Sequence, residues 1–246
     1  MSFTEFMGTG LFGMLADAAK APAFWILGYF LSAVCAYLLG SLNFGIIISS
    51  RRFHDDVRTH GSGNAGMTNM LRTYGKTAVV MTLLGDGLKA AVSILVGTLL
   101  ASMPGAYIAG LFCIIGHAFP LYYHFKGGKG VVTTAVMILI LDPLVFLIVF
   151  TVFLIIVGMT RYVSLGSIIS VLMYPMIFYN FNKGGMKLMM VPVTILIAAL
   201  VVFLHRSNIK RLREGKENKL SFGSKKKKKK NESDAAPADS GDAGEQ

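Results

Sequence analysis

The feature that most constrains this chain is the length of its uncharged stretches. Ala21 to Ser50 carries no charged side chain in 30 residues, and Ala90 to Phe125 carries none in 36. A helix crosses the hydrocarbon core of a bilayer with about 20 apolar residues, and a soluble core has no use for runs this long. Only 15% of the side chains are charged and the mean hydropathy is +0.60, against about 25% charged residues in average soluble chains. The formal net charge of +11 would suit a nucleic-acid binder, but the hydropathy excludes one. A secreted disulfide scaffold is excluded as well, because Cys35 and Cys113 each lie inside an apolar run. The expected fold is an all-α polytopic membrane protein.

Seven spans follow from the apolar runs. Ala21 to Ser50 supplies the first, and Thr77 to Ala101, apolar except for Asp86 and Lys89, the second. The turn signal Met103-Pro104-Gly105 separates that span from a third, Ala106 to Phe125. Asp142-Pro143 divides Val131 to Thr160 into two rather short helices; Tyr162 to Asn182 and Leu188 to Leu204 complete the set. Seven crossings put the termini on opposite sides. One side collects segment 51–76, Lys126 and Lys129, Arg161 and the tail from His205, with 20 Lys and Arg in all; the other holds only Lys20, Lys183 and Lys187. Positive charge stays inside, so the N-terminus is expected outside and the C-terminus in the cytoplasm. Residues 1–23 form a leader without the basic start of a signal peptide. Phe3, Phe6, Leu11, Phe12 and Leu15 in it suit either a short interfacial helix or a floppy segment. Residues 24–217 form the membrane domain. Residues 218–246 form a tail whose Lys225–Lys230 block and acidic end read as solvated and disordered, or as attracted to anionic lipid.

The cytoplasmic segments are where chemistry is expected. The first contains Gly61-Ser62-Gly63-Asn64-Ala65-Gly66-Met67-Thr68-Asn69 and then Arg72. Closely spaced glycines let backbone N–H groups converge on an anion, and Arg72 adds a planar fork suited to phosphate; taken alone, the segment reads as a flexible loop. The second, Lys126-Gly127-Gly128-Lys129-Gly130, opens the fourth span. Lysines at a helix N-terminus repel its dipole unless an anion sits between them, so a phosphate site is expected there, with topogenic lysines as the alternative. The spacing is not that of a Walker A loop. Ser164 and Ser167 follow Arg161 and either cap the sixth helix or add hydroxyls to the site. His205 and Asn208, three apart, share a helical face, with Glu217 beyond Gly215.

The sequence carries no cysteine nucleophile beside a base, no HExxH motif or carboxylate cluster, and no nucleotide fingerprint. The expected site therefore handles anions and uses no cofactor and no metal. A transporter would place its ionisable residues near the midplane. The candidates there, Asp86 and Lys89, read as an ion pair on one helix. His117 reads as a packing histidine near the cytoplasmic end.

Taken together, the loops resemble the bacterial acyl-phosphate:glycerol-3-phosphate acyltransferase family, PlsY, over roughly residues 24 to 217. The resemblance rests on four motifs in family order: the Gly-Ser-Gly-Asn loop with Arg72, Gly116-His117 leading through Phe119-Pro120 into Lys-Gly-Gly-Lys-Gly, Arg161-Tyr162-Val163-Ser164, and His205 to Glu217. It implies seven membrane helices with a cytoplasmic site and membrane lipid as surroundings. It also implies acyl transfer from acyl-phosphate to the sn-1 hydroxyl of glycerol 3-phosphate, releasing lysophosphatidic acid and phosphate, the first step of phospholipid synthesis at the bacterial inner membrane. The catalytic set it implies is Ser62, Arg72, Lys126 or Lys129, Ser167, His205 and Asn208. Gly61, Gly63, Asn64, Thr68, Gly127, Gly128, Gly130 and Ser164 would bind substrate. One departure is Gly166-Ser167, where many members have two serines. An acyltransferase that uses a thioester donor is the alternative within the same reaction class.

Overall fold

A computed structural model describes residues 3–182 and 184–220. Lys183 and the Lys225–Lys230 block lie outside the described residues. Every regular element among those described is helical. In chain order they are α1 (Phe3–Ala19), α2 (Ala23–Gly40), α3 (Phe44–Phe53), α4 (Met67–Tyr74), α5 (Lys76–Ala118), α6 (Val131–Leu141), α7 (Pro143–Thr160), α8 (Val163–Phe181), α9 (Gly185–Leu188), α10 (Val191–Leu204) and α11 (Arg206–Arg213). Among the described residues, four helical stretches are long and apolar enough to cross a membrane, or five if α10 and α11, bent by 56°, form one span. Helix α7 buries only Val145 and Val149, and Leu84 and Met159 are 66% and 82% exposed. Lipid is the solvent that accepts such a surface.

Helix α5 is not one rod. Ala101 (φ −146°, ψ 37°) and Ser102 (φ 55°, ψ −150°) leave helical geometry, just ahead of the expected turn at Met103-Pro104-Gly105, so that Pro104 falls at the start of the second arm, where proline is tolerated. A Cβ on Gly97 would stand 2.4 Å from the Gly105 carbonyl oxygen, although eight residues of straight helix span about 12 Å. The arms therefore run back along each other, and Lys89 of the first reaches His117 of the second. Helix α2 packs on this hairpin through small residues. A Cβ on Gly40 would meet the Cys113 carbonyl at 2.3 Å, and one on Gly116 the Tyr37 carbonyl at 2.3 Å, the close backbone approach that membrane helices favour. The leader forms a helix, bent at Gly10, and Ser102 donates to the carbonyls of Met7 and Gly8.

The first apolar run is broken at Ser41–Asn43, where the Asn43 side chain caps α3 by accepting from Ile46 N–H. The buried pair Asp86–Lys89, 2.9 Å apart, explains how the break is tolerated. Lys89 Nζ donates to the carbonyls of Gly40 and Leu42 at 2.9 and 2.8 Å, while Asp86 accepts from Phe44 N–H at 3.4 Å. A cation sits at the carboxyl end of α2 and an anion at the amino end of α3, the arrangement both helix dipoles favour. The expected structural ion pair is present, and its work is to satisfy a helix interruption.

Asp142 ends α6 and Pro143 begins α7, as the sequence indicates, with Tyr107 donating to the Asp142 carboxylate. With 11 residues, α6 rises only about 16 Å. The main core joins Tyr107, Ile114, Met137, Tyr174, Phe178 and Ile197; a smaller one, with Ile46, Val57 and Met70, supports the first loop.

Candidate active site

The glycine-rich loop before α4 is a built structure. Asn69, at the start of α4, donates to the carbonyls of Val57 and His60, both at 2.9 Å, and accepts from Ser62 N–H at 3.0 Å. Gly61 (φ 57°) and Gly63 (φ 70°) have the left-handed backbone that glycine adopts without steric cost, and a Cβ on Gly61 would lie 2.2 Å from Asn69 Oδ1. Arg58, paired with Asp56 at 2.8 Å, donates to the carbonyls of Tyr123 and Lys126, both at 3.1 Å, and so ties the first loop to the second.

The second loop differs from the expectation. Gly127 and Gly128 do not turn their N–H groups to an anion. They donate to Ala118 and His117 carbonyls at 3.1 and 3.0 Å, closing the free carboxyl end of α5. A Cβ on Gly127 would meet the His117 carbonyl at 2.1 Å, and one on Gly128 would meet His117 Nε2 at 2.1 Å. These glycines seat the loop on His117. Lys126 is exposed and does not line the cavity, whereas Lys129 does.

The third and fourth segments meet at Glu217. Its carboxylate accepts from Ser164 Oγ at 2.9 Å, Asn208 Nδ2 at 2.7 Å and Arg211 Nε at 2.7 Å. Lys129 Nζ donates to Asn208 Oδ1, so Asn208 bridges the lysine and the carboxylate. Neither Ser164 nor Ser167 caps α8, whose cap position is Tyr162 without a side-chain bond. Ser167 Oγ donates to the Val163 carbonyl at 2.9 Å, which leaves its lone pairs free. Gly166 is not among the residues lining the cavity, and a Cβ there would meet Val157 and Phe153 at 2.7 and 3.0 Å.

These segments enclose a cavity of about 130 Å³ lined by Ser62, Asn64, Thr68, Arg72, Lys129, Gly130, Ser164, Ser167, His205 and Asn208, together with Asp86, His117, Arg211 and Glu217. The sequence pointed to no part in the site for the last four or for the organising Asn69, Asp86 being expected in an ion pair and His117 in packing; Gly61, Gly63, Lys126, Gly127 and Gly128 are not among the lining residues.

Three cations, Arg72, Lys129 and Arg211, and two carboxylates, Asp86 and Glu217, line the cavity. Burial lowers the Lys129 ammonium, helped by Arg211 and Arg72 and opposed by Glu217, to about 8. Burial also lowers the Arg72 guanidinium, with Glu217 opposing. Burial would raise the Glu217 carboxyl, but hydrogen bonds from Asn208, Arg211 and Ser164 outweigh it and hold the group below its ordinary value. His205 is lowered to about 4, first by burial and then by Lys129 against the opposing backbone bond, so it is neutral at pH 7. Its Nδ1 stands 2.7 Å from the Val201 carbonyl. A carbonyl only accepts, so the proton is on Nδ1 and Nε2 is a bare acceptor.

An apolar groove of about 300 Å³ adjoins the cavity and shares Met67, Val131, Val132, Phe153 and Ser167 with it. It continues between α6, α7 and α8 along Ala135, Leu139, Phe150 and Val171. Among the described residues, no group of three His, Cys, Asp or Glu side chains is arranged to hold a metal ion.

The sequence matches the family model "Glycerol-3-phosphate acyltransferase" over residues 30–215. It is 40% identical to the glycerol-3-phosphate acyltransferase of Clostridioides difficile strain 630, across 79% of this chain and 97% of that one. It is 42% identical to that of Syntrophomonas wolfei, across 76% and 95%. Among solved structures, it is similar to PlsY, an integral membrane glycerol 3-phosphate acyltransferase, in its glycerol 3-phosphate form, with a TM-score of 0.71, 34% identity and coverage of 78% and 96%. The lysophosphatidic acid form of PlsY matches with a TM-score of 0.69 and 33% identity over 78% and 95%. The cationic cavity, its apolar extension and these relatives agree: the chain belongs to the glycerol-3-phosphate acyltransferase family of integral membrane enzymes.

Proposed function

We propose that the protein transfers a fatty acyl group from acyl-phosphate to the sn-1 hydroxyl of glycerol 3-phosphate. The observation that carries this reading is a cavity with Arg72, Lys129 and Arg211 on its wall that opens into an apolar groove. A donor with a phosphate head and a hydrocarbon tail fits both parts, and the acceptor adds a second phosphate, which accounts for three cations. The acyl chain lies in the groove between α6, α7 and α8. Arg72 and Lys129 hold phosphate with hydroxyls from Ser62, Thr68 and Ser167, and His205 and Asn208 orient glycerol phosphate.

The hydroxyl oxygen attacks the acyl carbon. The bond from that carbon to the bridging oxygen breaks, phosphate departs with the bridging oxygen, and the hydroxyl proton passes to the phosphate. His205 Nε2 accepts the hydroxyl hydrogen bond and sets the line of attack. A histidine lowered to about 4 is a weak base at pH 7, so its role is orientation. Positioning and fixed positive charge supply the rate, and no acyl-enzyme forms because the donor is already activated. The membrane domain crosses seven times, with the N-terminus outside and this cavity in the cytoplasm of a bacterial cell, as the distribution of 20 against three Lys and Arg supports.

The test offers acyl-phosphate, acyl-CoA and acyl-carrier protein separately to the purified protein with labelled glycerol 3-phosphate. Acyl-phosphate alone should support lysophosphatidic acid formation, and EDTA should not reduce it. Turnover with acyl-CoA and none with acyl-phosphate would overturn the donor assignment.

A further inference from the structure

Phe153 stands where the polar cavity meets the apolar groove. Met67, Val131, Val132, Phe153 and Ser167 line both spaces and so form the throat between them. Phe153 alone of the five carries a ring. With the donor's head in the cavity and its tail in the groove, the first carbons after the acyl carbonyl lie in this throat.

The ring is held from two sides. Along α7 it stacks on Phe150, with ring centroids 6.0 Å apart and 15° between planes, and Phe150 stacks on Phe146 at 5.2 Å and 12°. All three rings line the groove. On the other side runs α8, where a Cβ on Gly166 would stand 3.0 and 3.3 Å from Phe153 Cδ2 and Cε2, and 2.7 Å from Val157 Cγ2. Gly166 is buried within α8, where glycine weakens a helix relative to alanine. What it provides there is room for the ring. The empty space that adjoins Phe153 is the throat itself.

We propose that Phe153, seated on Gly166, selects the acyl chain at its first carbons. The throat admits an unbranched chain and rejects one with a methyl or larger group beside the carbonyl. A straight chain passes along the ring, whereas a branch needs the volume that the ring fills, and a ring confined by Phe150 and α8 has little slack to give. Gly166 sets the width of the throat through Phe153, because a methyl group at 166 would push the ring into it. The proposal rests on the reading that the acyl chain lies in the groove, but not on the leaving group of the donor.

The test uses the full chain in nanodiscs and lysophosphatidic acid, the same product whatever donor supplied its chain. Labelled straight-chain lysophosphatidic acid is displaced by the unlabelled compound or by its 2-methyl-acyl analogue. The wild type should prefer the straight chain by about tenfold to two hundredfold, the range for one methyl group in an apolar pocket. Phe153→Ala, or the milder Phe153→Leu, should remove most of that preference; comparing proteins cancels any difference in partition into lipid. Gly166→Ala should weaken straight-chain binding by about tenfold or more at unchanged affinity for glycerol 3-phosphate, and adding Phe153→Ala should restore it. Equal affinity of the wild type for both compounds, or a preference that survives both Phe153 variants, overturns the proposal alone. Wild-type binding by a folded Gly166→Ala does the same. Absence of displaceable lysophosphatidic acid binding overturns the groove reading and the proposal together. If Gly166→Ala does not fold, the wild type and the Phe153 variants decide the matter.

Discussion

Lys129 gives the cavity a pH dependence that can be worked out in advance. Burial first, then the nearby Arg211 and Arg72, bring its ammonium down to about 8. Below that value the free enzyme carries the positive charge a phosphate needs; above it the charge is lost. About nine-tenths of the molecules are charged at pH 7 and about one-tenth at pH 9, so kcat/KM should fall about tenfold across that interval if only the charged form binds. A bound phosphate favours the charged form, so the same limb should move upward or vanish in kcat, which reports the loaded enzyme. Initial rates of labelled glycerol 3-phosphate incorporation, with fresh acyl-phosphate at each pH, measure both profiles. Lys129→Arg places a guanidinium there that stays charged throughout. Its kcat/KM should be lower at pH 7, because the contact to Asn208 is altered, and flat to pH 9. A wild-type kcat/KM that is flat from pH 7 to 9, or a limb near 8 that survives in Lys129→Arg, would refute the reasoning.

Four other perturbations separate the proposed roles. Gly128→Ala drives a methyl group into His117 and should cost about 1–3 kcal/mol of stability as well as raising KM for a phosphate-bearing substrate; wild-type unfolding and KM would contradict the seating of this loop. Arg72→Lys replaces a fork by a point charge and should lower kcat/KM in a well-folded variant, so wild-type kinetics would remove Arg72 from the site. His205→Gln should retain a substantial fraction of kcat, because it can hydrogen-bond without acting as a base. A loss of about 10²-fold or more at unchanged KM for glycerol 3-phosphate would make His205 the base. Ala135→Phe narrows the groove and should penalise long donors over short ones by about fourfold per methylene denied burial, measured as the ratio of kcat/KM across chain lengths.

The helical character of the chain and the cation-bearing loops were legible because both are written locally. Runs without charge report the solvent of a helix, and Arg72, Lys129, Ser164, Ser167, His205 and Asn208 stand in short motifs whose chemistry does not depend on distant partners. The cavity brings all six together. The network of Asp86, Lys89 and His117 was legible only in part. The spacing of Asp86 and Lys89 gave the ion pair, but the carbonyls of Gly40 and Leu42 and the ring of His117 arrive from elsewhere in the chain. Composition cannot report which residues a hairpin brings back to one place. The second loop was legible only in part, for a related reason. Glycine permits close approach by any partner, and here the partner of Gly127 and Gly128 is the end of α5. Lys126 was indistinguishable from Lys129 in sequence; the Arg58 bonds to Tyr123 and Lys126 carbonyls hold the loop so that only the second lysine lines the cavity.

The most direct test of direct acyl transfer between two phosphate-bearing substrates follows one oxygen atom. Acyl-phosphate carrying 18O in the bridging position is incubated with the purified protein and glycerol 3-phosphate, and the phosphate and lysophosphatidic acid formed are measured by mass spectrometry. The account predicts one labelled phosphate for each lysophosphatidic acid, with the protein's intact mass unchanged throughout. Unlabelled phosphate, an acylated protein that passes its label to glycerol 3-phosphate, or no lysophosphatidic acid from this donor would contradict it.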